Sequence, residues 1–124
     1  MPRTQINVSG LYAALDAVRE SRGLSWRQLA REVGVSPSTF SRLANKQKPD
    51  VDAFVAMVRW LKVPAERFMV DDEEPAREEP ELMAELAPLL RARQDLNSED
   101  KRYLEELIGS AMRRFTAERK SRDE

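Results

Sequence analysis

Between Ser25 and Asn45 two short helical patterns flank a single glycine, and this arrangement constrains the fold more than any other feature. Ser25 begins the first pattern, with Gln28 three residues on to complete a capping box, and the helix runs from Trp26 to Val33. Gly34 stops it where a tight turn needs a residue tolerant of positive φ. Ser36 caps the second pattern, which runs to about Asn45. Pro37 takes its first position, where the missing amide hydrogen costs nothing. Two helices joined this tightly must cross closely and steeply. Small Ala30 leaves room on the inner side, and Leu29, Val33, Val35, Phe40 and Leu43 supply apolar anchors. What remains on the second helix is Ser36, Pro37, Ser38, Ser41, Arg42 and Asn45, a short-chained polar face with no acid.

The flanking sequence continues in helices. Ser9 can cap a helix from Leu11 to Arg22, with Leu11, Leu15 and Val18 at helical spacing and Gly23 as its stop. Asp50 caps another over Val51 to Leu61, and a short turn follows Pro64. Period-2 alternation is absent, so no strand is expected. On the helix after Asp50, Phe54, Val58 and Leu61 form one apolar stripe, while Ala53, Met57 and Trp60 form a second. A surface helix needs only one. Met57 and Trp60 are therefore expected at an interface, with the carboxyl-terminal segment or with a second chain.

Residues 71–80 hold six acids and two prolines, a composition that cannot bury a face. They read as an acidic linker. It separates an amino-terminal arm (1–8) and a main domain (9–70) from a helical segment (81–119) and a tail (120–124). In that segment a short helix starts at Glu81 and is expected to break or restart at Pro88. A longer one follows, with Asn97 as cap and Asp100 three residues on. Its apolar stripe comprises Tyr103, Leu104, Leu107, Ile108, Ala111, Met112 and Phe115. This is broad for a helix with only a short companion, so these residues are expected at a dimer or partner interface.

Composition excludes several functions. The chain has no cysteine and no histidine, so thiolate chemistry and the commonest general base and metal ligand are absent. No enzyme, metal or cofactor is expected. No apolar run approaches the roughly 18–20 residues that span a bilayer, and a cytoplasmic protein is expected. The net charge of −1 hides a split: residues 1–70 carry 11 Lys/Arg against 6 Asp/Glu, and residues 71–124 carry 10 against 16. Over a Debye length of about 8 Å the local balance matters more than the total. Between Arg22 and Lys48 six bases face one acid, Glu32.

The stretch "LSWRQLAREVGVSPSTFSRLANKQKPDVDAFVAMVRWLKV" resembles the helix-turn-helix of the phage-repressor/Cro-like, or XRE, family over about residues 9–70. The resemblance implies an all-α, lambda-repressor-like bundle of five helices whose third helix enters the DNA major groove. Carried over, base contacts fall on Ser36, Pro37, Ser38, Ser41, Arg42 and Asn45. Phosphate contacts fall on Trp26 and Arg27, with Gln28 beside them, and on Lys46, Gln47 and Lys48 in the following loop. Arg31 joins the phosphate set by its charge, unless it pairs within the domain. The chain departs from the family in three places. Pro37 stands where a glutamine is usual, Ala44-Asn45-Lys46 replaces Glu-Arg-Gly, and Trp26 replaces a polar residue. The lost glycine bears on the loop backbone, where Asn45 tolerates a left-handed conformation.

The resulting expectation is a sequence-specific regulator of transcription, a homodimeric repressor on palindromic double-stranded DNA. The carboxyl-terminal pattern is also similar to tails of small repressors encoded beside metalloproteases or toxins. That similarity implies the alternative of an antitoxin or immunity-type regulator whose last segment holds a toxin or protease. The other alternative is a protein-interaction adaptor that does not bind DNA.

Overall fold

The computed structural model describes residues 4–71 and 79–123. Most of the expected linker, residues 72–78, lies outside them, as do residues 1–3 of the arm and residue 124 of the tail. The chain divides into two units, Met1–Pro75 and Ala76–Glu124.

The first unit comprises β1 (Thr4–Ile6), α1 (Val8–Ser21), α2 (Trp26–Val33), α3 (Pro37–Ala44), α4 (Val51–Leu61), a 3-10 turn (Ala65–Phe68) and β2 (Met69–Asp71). α1 starts earlier than Ser9 would allow, because Asn7 is the cap and its Oδ1 accepts from the Gly10 amide at 3.0 Å. Gly10 makes room for this, since a Cβ there would stand 2.5 Å from Asn7 Nδ2. The Ser25–Gln28 capping box forms as its spacing predicts, at 2.8 and 3.1 Å. Gly34 ends α2 at φ 90°, and the amides of Gly34 and Val35 both donate to the Ala30 carbonyl. Asp50 caps α4 through the Ala53 amide at 2.7 Å.

The expectation of no strand is corrected. β1 and β2 pair antiparallel, with Ile6 opposite Met69 and Thr4 opposite Asp71, and the Asn7 amide continues the pairing to the Phe68 carbonyl. Three residues are too few to show alternation, and the partners come from opposite ends of the unit.

The core consists of Leu11, Leu15, Leu29, Ala30, Phe40, Leu43, Phe54, Met57 and Phe68. Burying each large side chain contributes about 1.5–3 kcal/mol before chain entropy is subtracted. Three of the helix-turn-helix anchors, Leu29, Phe40 and Leu43, are thus buried together with small Ala30, and Val33 and Val35 pack against them. Met57 is a correction: it is fully buried in this core and offers nothing to a partner. α4 contacts both α1 and α2, so it needs apolar residues on two sides. Trp60, half-buried, packs on the same core with the Arg22 guanidinium 5.0 Å from its ring centroid.

The second unit is a helical hairpin, α5 (Leu82–Ala92) and α6 (Ser98–Asp123). Pro88 lies inside α5 without breaking it. The proline removes one amide donor, and its neighbours Leu86, Ala87, Leu89 and Leu90 are strong helix formers. Asn97 and Asp100 cap α6 reciprocally, at 2.8 and 3.4 Å. Arg91 holds Glu105 by two hydrogen bonds of 2.8 and 3.2 Å, and Lys101 Nζ donates to the Arg91 carbonyl at 2.8 Å. That hydrogen-bonded guanidinium keeps the Glu105 carboxyl below the usual range. None of the described residues of this unit is buried.

Candidate nucleic-acid interface

α3 is an eight-residue helix with two sides. Phe40 and Leu43 point into the core, while Ser36, Pro37, Ser38, Ser41, Arg42 and Asn45 are all exposed. Ser36 stands at the cap position but makes no capping hydrogen bond, contrary to expectation. Its Oγ instead lies 3.1 Å from Ser38 Oγ and 3.0 Å from Thr39 Oγ1, because nearby hydroxyls compete with the backbone. Arg42 joins the same cluster, donating to Ser38 Oγ at 3.3 Å and more weakly to Thr39 Oγ1 at 3.5 Å. The one long donor of the face is thereby laid along its own helix. Thr39 had no place in the sequence reading. The signal was its spacing, three residues from both Ser36 and Arg42. Asn45 folds back, its Nδ2 donating to the Ser41 carbonyl at 3.1 Å.

The loop after α3 closes through a left-handed residue that is not glycine. Asn45 is not left-handed, at φ −88°. Lys46 is, at φ 65°. The Lys46 amide donates to the Leu43 carbonyl and the Gln47 amide to Arg42, both at 3.0 Å. This is the paired closure of a helix end that normally recruits glycine. Arg42, Gln47 and Lys48 come together around one cleft of about 210 Å3, bordered by Thr39, Asp50 and Ala53. Asp50 and Asp52 both border the Ser36, Thr39 and Arg42 side of this surface, and the Asp50 carboxylate is engaged in capping α4.

At the start of α2, Arg27 and Gln28 are exposed. The Gln28 carbonyl oxygen is committed to the capping box, which leaves its amide nitrogen as the outward donor. Trp26 departs from its expected role. It is half-buried, stacked on Tyr12 with centroids 5.1 Å apart and tilted against Phe40 at 5.3 Å. The Arg19 guanidinium lies 4.7 Å from its centroid. Arg19 is itself fixed by Asp16 at 2.7 Å and by the Leu24 carbonyl at 2.9 Å. The indole is thus engaged by Tyr12, Phe40 and Arg19 of its own chain while staying partly exposed. Nothing local in the sequence links Tyr12 and Arg19 of α1 to residue 26. Arg31 is exposed and makes no ion pair among the described residues, and the same holds for Arg27, Lys46 and Lys48.

Residues 15–68 match the model of the helix-turn-helix family. The matched residues all lie in the first unit. The match spans α2, the Gly34 turn and α3, and it supports a DNA-binding regulator. No curated protein matches the sequence. Among solved structures, a crystal structure of a transcriptional regulator from Listeria innocua is similar at 15% identity, with a TM-score of 0.40, over 81% of this chain and 90% of that one. Among the described residues, no helix is long and apolar enough to cross a membrane, and no group of three or more Asp or Glu is placed to hold a metal ion.

Proposed function

We propose that this chain is a sequence-specific DNA-binding regulator of transcription, acting in the cytoplasm as a homodimeric repressor on a palindromic operator. The observation that carries the reading is the charge around α3. The exposed side of α3 carries no acid of its own, and Arg27 and Arg31 of α2 and Lys46 and Lys48 of the following loop make no ion pair among the described residues. Unpaired cations are the groups that release counterions from a phosphate backbone. On the groove side, Ser38, Ser41 and Arg42 would meet base edges and Pro37 a thymine methyl. Two such helices about 34 Å apart would read a two-fold site, each half adding specificity. Repression then needs only occupancy of a promoter.

The test is selection of binding sites from random duplex DNA, followed by affinity against salt. A selected palindrome bound with a steep negative salt slope is expected. Enrichment of no sequence, with no salt-dependent binding, would favour the adaptor.

A second reading is favoured by the exposed apolar side chains of the hairpin, Leu82, Leu89, Tyr103, Leu107 and Phe115. In that reading they receive a toxin or protease, and DNA binding by α3 is autoregulatory.

A further inference from the structure

We propose that the exposed side of α6 seats the α6 of a second copy, laid antiparallel against it. The inference rests on the homodimer reading and adds where the copies meet and in which direction.

The first argument is the missing core. The hairpin has apolar residues on both helices, yet none of its described residues is buried. Helices in water draw most of their stability from a packed apolar face, so this hairpin needs a cover. Lys101 and Glu105 turn toward α5, where both meet Arg91. Tyr103 and Leu107 each lie two residues further on, about 200° round the helix, and so face away from it. They are 62% and 49% exposed. Ala111 and Arg114 continue the same line at helical spacing, and small Ala111 permits close approach.

The second argument decides the occupant. Residues 98–110 carry four acids and two bases, and residues 111–123 carry five bases and two acids. A parallel copy would set like charge on like charge and align the two macrodipoles unfavourably. An antiparallel copy sets each acidic half on a basic half, with opposed dipoles. The surface is therefore complementary to itself in one direction only. Crossing near the middle of the line, between Leu107 and Ala111, brings Tyr103 of one chain to Arg114 of the other, where a guanidinium can lie on the ring. Among the described residues Arg114 is held by the exposed pair with Glu118 at 3.1 Å, a contact easily exchanged.

The chain has no cysteine, which makes the geometry testable in the full-length protein. Sedimentation gives the mass of the unmodified chain, and Tyr103→Cys and Arg114→Cys variants are then treated with a short bismaleimide, separately and mixed. A dimer is expected that cross-links when the two variants are mixed. Neither variant should cross-link alone, because equivalent positions lie about 16 Å apart along the helix. Cross-linking of each variant with itself would indicate a parallel pair. No cross-link in any combination would put the interface elsewhere. Either result overturns this proposal and leaves the homodimer standing. A monomer, including one that dimerises only around a separate protein, overturns both. As a second variant, Leu107→Asp should give monomer with the circular dichroism of the first unit retained, and a dimer surviving that change also overturns the proposal.

Discussion

Trp26 lies nearly parallel to Tyr12, with ring centroids 5.1 Å apart and planes 17° from parallel. The stack ties α2 to α1 at the edge of the surface that would meet DNA. Trp26→Ala should therefore act on stability, at about 2–4 kcal/mol. Trp26→Phe should recover part of that loss by keeping an aromatic ring on Tyr12. Urea unfolding measures both, and the salt slope of DNA binding should not move. A slope reduced by about one with unfolding unchanged would return Trp26 to the phosphate set.

Lys46 presents a conflict between backbone and charge. Its φ of 65° is a glycine conformation, and a left-handed residue with a side chain costs about 1–2 kcal/mol. Lys46→Gly should raise stability by about 1 kcal/mol while lowering the salt slope of binding by about one. Lys62 is also left-handed, at φ 60°, and Lys62→Gly checks the strain relief in a second helix cap. Thermal unfolding and salt-titrated binding together separate the two effects.

Arg42 and Lys48 border one cleft but should differ in what they do. Arg42→Ala should cost about 1–3 kcal/mol on the selected site and relax its sequence preference. Lys48→Ala should weaken every sequence about equally. Thr39→Val keeps the shape of the side chain and removes a hydroxyl that touches Arg42, so it should lose less than Arg42→Ala, in the same direction. Competition between selected and random duplexes reads all three.

Acid should loosen the hairpin. The folded Glu105 carboxyl is held below its ordinary value by Arg91, so its contribution is complete above the ordinary carboxylate range. It is lost as pH falls through that lowered value, beneath the ordinary carboxylate range. Far-ultraviolet circular dichroism should show helix loss in that window. Glu105→Gln should lower helicity near neutral pH and remove that part of the acid transition.

The parts of this structure legible in the sequence are those specified by neighbours along the chain. α2 is marked by Ser25 and Gln28 at one end and Gly34 at the other, and α4 by Asp50. The two sides of α3 follow from Phe40 and Leu43 at helical spacing. The parts not legible depend on distant partners. β1 exists because Met69–Asp71 returns to it. Met57 is core because α4 touches two helices, and Trp26 is sheltered by Tyr12 and Arg19 of α1. The start of α1 was displaced by competition between two residues able to cap, Asn7 and Ser9, and the strand just before it favours Asn7.

The β1–β2 ribbon has a mechanical consequence. Because Thr4 sits opposite Asp71, a load applied through the two ends of the DNA-binding unit pulls at one edge and in opposite directions. Such a load opens the ribbon like a zipper, one pair at a time, instead of shearing it along its length. The first stage of forced extension should therefore release residues 4–6 and 69–71 at low force, while the helix pair around Gly34 keeps its shape.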